Sequence, residues 1–79
     1  MSPAMLDARN LLCPLPVIRT QDAVTRLQPG DELQVVSTDP GVLHDIPAWC
    51  RVHGHRVCTV EEDEQSGEIT ITIRVGNTG

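Results

Sequence analysis

The sequence predicts a small α+β domain: a two-layer α/β sandwich in the order β-α-β-α-β-β, with a four-stranded mixed sheet and two helices on one face. Three observations carry this. Ile69, Ile71, Ile73 and Val75 alternate with Thr70, Thr72 and Arg74, the period of a strand with one buried face. Pro14 and Pro40 each stand after a short apolar run and before a helical stretch, where a fixed φ and a missing N–H cost nothing. Finally, 79 residues at 39% hydrophobic content make one domain with a modest core, spanning 1–79 with an ordered part of about 5–75.

Met5 to Ala8 is the first strand, and Asn10 falls in the turn behind it, a residue type that tolerates positive φ. The first helix is expected from Pro14 to about Leu27. Val17, Val24 and Leu27 form its buried stripe, widened by Ile18 and Ala23, while Arg19, Gln21, Asp22 and Arg26 face water. Pro29-Gly30 ends it. Asp31 to Ser37 is the second strand, with Leu33, Val35 and Val36 apolar.

Thr38-Asp39-Pro40-Gly41 reads as a helix start with Asp39 as a structural cap. Pro47 leaves two alternatives: a kink within the helix, or a helix proper beginning at about Asp45. Leu43, Ile46, Trp49, Cys50 and His53 line one face in the second case, Trp49 packs in the core, and Gly54 closes the helix. His55 to Glu62 is the third strand, and Glu61-Glu62-Asp63-Glu64 leads into a solvated hairpin end at Gln65-Ser66-Gly67. Glu68 to Val75 is the fourth strand, antiparallel to the third, and Gly76 to Gly79 should fray.

Composition narrows the function. The net charge is −5, all six cationic residues are arginine, and Trp49 is the single aromatic. Direct nucleic-acid binding wants a basic footprint and stacking aromatics, so it is set aside in favour of a basic protein partner. Met1-Ser2-Pro3-Ala4 lacks the basic and apolar regions of a secretory leader, and no apolar run reaches the roughly 20 residues of a membrane span. Three cysteines, an odd number, suit a reducing cytoplasm better than a disulfide framework. No G-x-S-x-G, P-loop or dinucleotide fingerprint is present. Cys50, His53, His55 and Cys58 lie close in sequence, but strand alternation points His55 and Cys58 to opposite faces, so no metal is assigned. Cys50 and Cys58 read as core or near-core thiols.

The chemistry-bearing stretch is Cys13-Pro14-Leu15-Pro16. With Pro14 at the first helical position, Cys13 becomes the N-cap, and its sulfur meets free N–H groups and the positive helix end, a setting that lowers a thiol pKa. Pro14 and Pro16 lack N–H groups, so Leu15 and Val17 supply the nearest donors. The alternative for Cys13 is a buried small hydrophobe.

Leu6-Asp7-Ala8-Arg9-Asn10-Leu11-Leu12-Cys13-Pro14-Leu15-Pro16-Val17 resembles the signature of the TusA/SirA-like family of small sulfur-carrier proteins. The resemblance continues through Pro29-Gly30-Asp31, Thr38-Asp39-Pro40-Gly41, Asp45-Ile46-Pro47-Ala48-Trp49-Cys50 and Gly54-His55. It implies the same sandwich fold and a sulfane sulfur held as a persulfide on Cys13, on a sulfurtransferase-type carrier with no substrate pocket or cofactor of its own. The implied partners are a cysteine desulfurase or rhodanese-like donor and an acceptor serving tRNA thiolation, cofactor biosynthesis or sulfur oxidation. Arg9, Arg19 and Arg26 are the candidate docking cations, and the carrier is expected to act as a monomer. A thiol-based redox or regulatory module is the alternative function.

Overall fold

The computed structural model describes residues 3–76. Residues 77–79 of the stretch expected to fray lie outside that range. The chain runs β1 (Ala4–Ala8), α1 (Leu15–Val24), β2 (Glu32–Ser37), α2 (Val42–His53), β3 (Arg56–Glu62) and β4 (Ile69–Arg74). The sheet order is β1-β2-β4-β3. β1 and β2 are parallel, β4 is antiparallel to both β2 and β3, and β4 therefore lies between the strands that α2 connects. This is the four-stranded mixed sheet and two-helix sandwich of the α+β class that the sequence predicts.

One face of the sheet is buried. Leu33 and Val35 of β2, and Ile69, Ile71 and Ile73 of β4, form the core with Val24 of α1 and Val42, Ile46 and Cys50 of α2. In β4 the alternation read from the sequence decides which side chains face the helices. Thr72, on the other face, is nonetheless buried, because its cross-strand partners Gln34 and Thr59 flank it in register.

Both helices depart from their expected limits and faces. α1 ends at Val24, and the chain continues through turns in which the N–H groups of Arg26 and Leu27 donate to Ala23 and Val24. Its buried line is Pro16, Thr20 and Val24, spaced by four, while Ile18 is exposed. Thr20 can take that central position because its hydroxyl donates to the Pro16 carbonyl at 2.8 Å, leaving a methyl for the core. α2 begins at Val42 and passes through Pro47, so a start at Asp45 is excluded. Its buried line is Val42, Ile46 and Cys50, and Leu43 and His53 are exposed. Gly54 closes α2 at φ 79°, the left-handed conformation that favours glycine, with the His55 N–H donating to the Cys50 carbonyl.

Trp49 is half-buried, its ring centroid 5.1 Å from that of His53 and 4.9 Å from that of His55. The Gly76 N–H donates to His55 Nδ1 at 3.0 Å. At the other flank, Cys58 is exposed rather than near-core. The β3–β4 register passes from Val57 opposite Ile73 to Thr59 opposite Thr72, so Cys58 is the unpaired residue of a bulge on an edge strand.

Candidate functional site at Cys13

Parallel pairing of β1 and β2 sends their following loops out of the same end of the sheet, where open α/β sheets present their functional groups. The β1–α1 loop carries Cys13, and the β2–α2 turn carries Asp39. Two hydrogen bonds tie them. The Asn10 N–H donates to Thr38 Oγ1 at 2.9 Å, and the Cys13 N–H donates to Asp39 Oδ2 at 2.9 Å. Asn10 itself takes φ 65°. The other Asp39 oxygen accepts the Gly41 N–H at 3.0 Å, and the Asp39 N–H donates to Ser37 Oγ. One carboxylate thus closes the turn before α2 and fixes the backbone at the cysteine. The Gly41 and Cys13 N–H groups hold its pKa below the usual carboxylate range. Asp39 is not the helix cap expected of it: α2 starts at Val42, and Gly41 is its N-cap with no side-chain cap hydrogen bond.

The cysteine does not occupy the expected cap. Pro14 is the N-cap residue of α1 and Leu15 the first helical residue, so Cys13 stands one position further out, joined to Pro14 by a cis peptide. Pro16 follows in the first turn and is buried. The Leu15 N–H is not free for the sulfur either: it donates to the Leu12 carbonyl at 2.9 Å. Instead the Cys13 thiol donates to Asp45 Oδ2 at 2.9 Å, from the first turn of α2.

This contact reverses the expected electrostatics. The hydrogen bond to Asp45 favours the protonated sulfur, and the negative charges of Asp45 and Asp39 oppose a thiolate, so the Cys13 pKa is raised rather than lowered. Cys13 is exposed, and this contact favours its protonated form. Cys50 is buried, and desolvation pushes its thiol up to about 11.

Asp45 is the group that the sequence reading missed. The signal was the topology: two consecutive parallel strands bring the first turns of α1 and α2 side by side, so an acidic residue in one faces whatever opens the other. Of the candidate cations, Arg9 is engaged by Asp7 at 2.9 Å and by Glu68 at 3.3 Å, and Arg26 pairs with Asp22 along α1. Arg19 is exposed and makes no ion pair among the described residues. No group of three or more His, Cys, Asp or Glu side chains among the described residues is arranged to hold a metal ion. None of the described helices is long and apolar enough to cross a membrane.

Comparison with known proteins agrees with the geometry. The family model described as sulfurtransferase TusA matches residues 4–75. The sulfur carrier protein TusA of Pseudomonas aeruginosa is 42% identical over 90% of this chain and 87% of its own length. A Neisseria meningitidis protein named as a candidate sulfur carrier is 38% identical over 94% of this chain and 97% of its own. The crystal structure of a SirA-like protein from Desulfitobacterium hafniense superposes with a TM-score of 0.81 at 25% identity, covering 94% of this chain and 99% of that one. With the motif cysteine at the shared end of two parallel strands and a family match over nearly every described residue, the chain belongs to the TusA family of sulfur-carrier proteins.

Proposed function

We propose that this protein carries a sulfane sulfur as a persulfide on Cys13 and relays it between two protein partners. The observation that carries the reading is an exposed thiol held by its own backbone N–H on Asp39, at the start of a helix stiffened by Pro14 and Pro16. A thiol presented in this way can enter another protein's active site without a pocket of its own. In loading, the Cys13 thiolate attacks the outer sulfur of a donor persulfide. The new S–S bond forms at Cys13, the donor's S–S bond breaks, and its electron pair leaves on the donor cysteine as a thiolate. The Cys13 proton has left to solvent before the attack, and the sulfur passes from one persulfide to the next at the same oxidation level, so the exchange needs no oxidant. Unloading repeats the step with the acceptor cysteine as nucleophile.

A cysteine desulfurase or a rhodanese-like transferase fits the donor, and a cytoplasmic relay toward tRNA thiolation, cofactor biosynthesis or sulfur oxidation fits the acceptor. The carrier works as a monomer, and Arg19 is the candidate docking cation that makes no ion pair among the described residues. The reduced protein and the Cys13→Ser variant are each incubated with a sulfane-sulfur donor and read by non-reducing intact mass. Gain of one sulfur atom by the wild type alone, reversed by reductant and lost to an acceptor, is the expected result. Equal uptake by both proteins refutes carriage on Cys13, and cycling of Cys13 to a disulfide without uptake replaces carriage with a redox role.

A further inference from the structure

Asp45 sits against the sulfur and is not needed to hold the loop, which Asp39 and Thr38 already pin through the backbone. The charged groups facing Cys13 are both acidic: Asp45 from α2 and Asp39 from the turn before it. The first turn of α1, Leu15 to Ile18, carries no charge. Leu12, Leu15 and Ile18 are 75%, 43% and 53% exposed, an apolar surface beside the thiol on a chain of net charge −5. A sulfur carrier needs a thiolate to accept sulfur, yet this setting opposes one.

From this we infer that Asp45 is an electrostatic gate on Cys13: its carboxylate keeps the free carrier as a thiol, and the protein that loads it brings a cationic side chain against Asp45. The inference rests on the carrier reading and adds to it the chemistry of the partner, an arginine or lysine set in an apolar rim that seats on Leu12, Leu15 and Ile18. Once that cation pairs with Asp45, the carboxylate no longer accepts the thiol proton, the proton leaves to solvent, and the thiolate is exposed where the donor persulfide waits. Sulfur uptake is then slow on the free carrier and fastest in the complex. Asp45 acts at the reacting atom but forms no bond to the sulfur carried.

The gate is tested with small disulfides of different charge, reacted with the reduced wild-type protein and read as mixed disulfide on the Cys13 peptide. Cystamine carries two ammonium groups, bis(2-hydroxyethyl) disulfide none, and dithiodipropionate two carboxylates. The wild type is expected to react fastest with cystamine, by about fivefold or more over the neutral probe after correction for their intrinsic reactivities, the floor for two unit charges in contact in water. Added salt should collapse this preference.

Asp45→Asn should lose most of the preference, and Asp45→Glu should keep it. The same Asn variant should lower the pH midpoint for iodoacetamide labelling of Cys13. Each unit of fall brings about tenfold more thiolate, reduced to roughly a threefold rate gain because a less basic thiolate is a weaker nucleophile. A wild type indifferent to probe charge overturns the gate, and so does an Asn variant with unchanged midpoint and preference. Sulfur loading by intact mass is scored separately. A wild type that shows the charge preference but takes up no sulfur overturns carriage, whereas normal loading without any charge preference overturns only the gate.

Discussion

Replacing Ile46 with alanine should make Cys50 reactive in the native protein. Ile46 is fully buried and Cys50 is 1% exposed, one helical turn further along the same line of α2, against the sheet. In the wild type, Cys50 can meet a thiol reagent only when α2 lifts off or the domain unfolds, because the sulfur is covered and burial also suppresses its thiolate. Truncating a buried isoleucine costs about 2–5 kcal/mol through lost transfer energy and the cavity left behind. A domain of this size has a total stability of roughly 4–12 kcal/mol, so the loss is a large share. If opening and closing outrun labelling, the Cys50 rate follows the open population and should rise by roughly thirtyfold to a few thousandfold. The assay is pulsed alkylation in dilute buffer, with Cys13, Cys50 and Cys58 peptides quantified by mass. Cys13 and Cys58 are exposed in the starting state and serve as internal references. A Cys50 rate that rises less than about fivefold, against the floor set by the cavity cost, would refute the packing argument. An equal rise at Cys13 would show that the loop, and not only α2, depends on Ile46.

Two further predictions concern the same end of α2. His55 has its pKa lowered, first by burial and second by the nearby His53, and its Nδ1 accepts the Gly76 N–H only while unprotonated. A group whose pKa falls on folding contributes stability above its unfolded value, so denaturation midpoints should decline as pH drops below about 6.5, and His55→Gln should flatten that part of the profile. Gly54→Ala places a side chain at φ 79° and should cost about 1 kcal/mol in urea denaturation, with Cys13 labelling unchanged.

Much of the fold is legible in local pattern. The isoleucine alternation of β4 requires a buried sheet face, and the prolines at 14 and 40 mark the two places where strand passes to helix. What local pattern lacks is the identity of the residue across the gap. A helical wheel places Ile18 and Thr20 on hydropathy alone, so it cannot know that the Thr20 hydroxyl is satisfied by the Pro16 carbonyl and therefore suits the core better than its type suggests. Pro47 argues locally for a later helix start, but Val42 lies on the same buried line as Ile46 and Cys50, and tertiary packing overrides the missing hydrogen bond. Cys58 shows the same limit, since a bulge shifts the strand period and no alternation count registers it. For Cys13 the exposed motif thiol was readable from its prolines, whereas its protonation was not. That depends on Asp45, 32 residues away along the chain and brought close only by the parallel pairing of β1 and β2.

The two free edges of the sheet are unequal templates for another chain. β3 interrupts its hydrogen-bond ladder at Cys58 and ends in Glu61 and Glu62, with Asp63 and Glu64 beyond, so a second copy laid along it would meet a broken ladder and like charge. β1 is five residues long and its far end carries the Asp7–Arg9 pair, which leaves little ribbon to extend. Among the described residues, pairing of a further chain is therefore opposed at one rim by charge and irregularity and at the other by shortness.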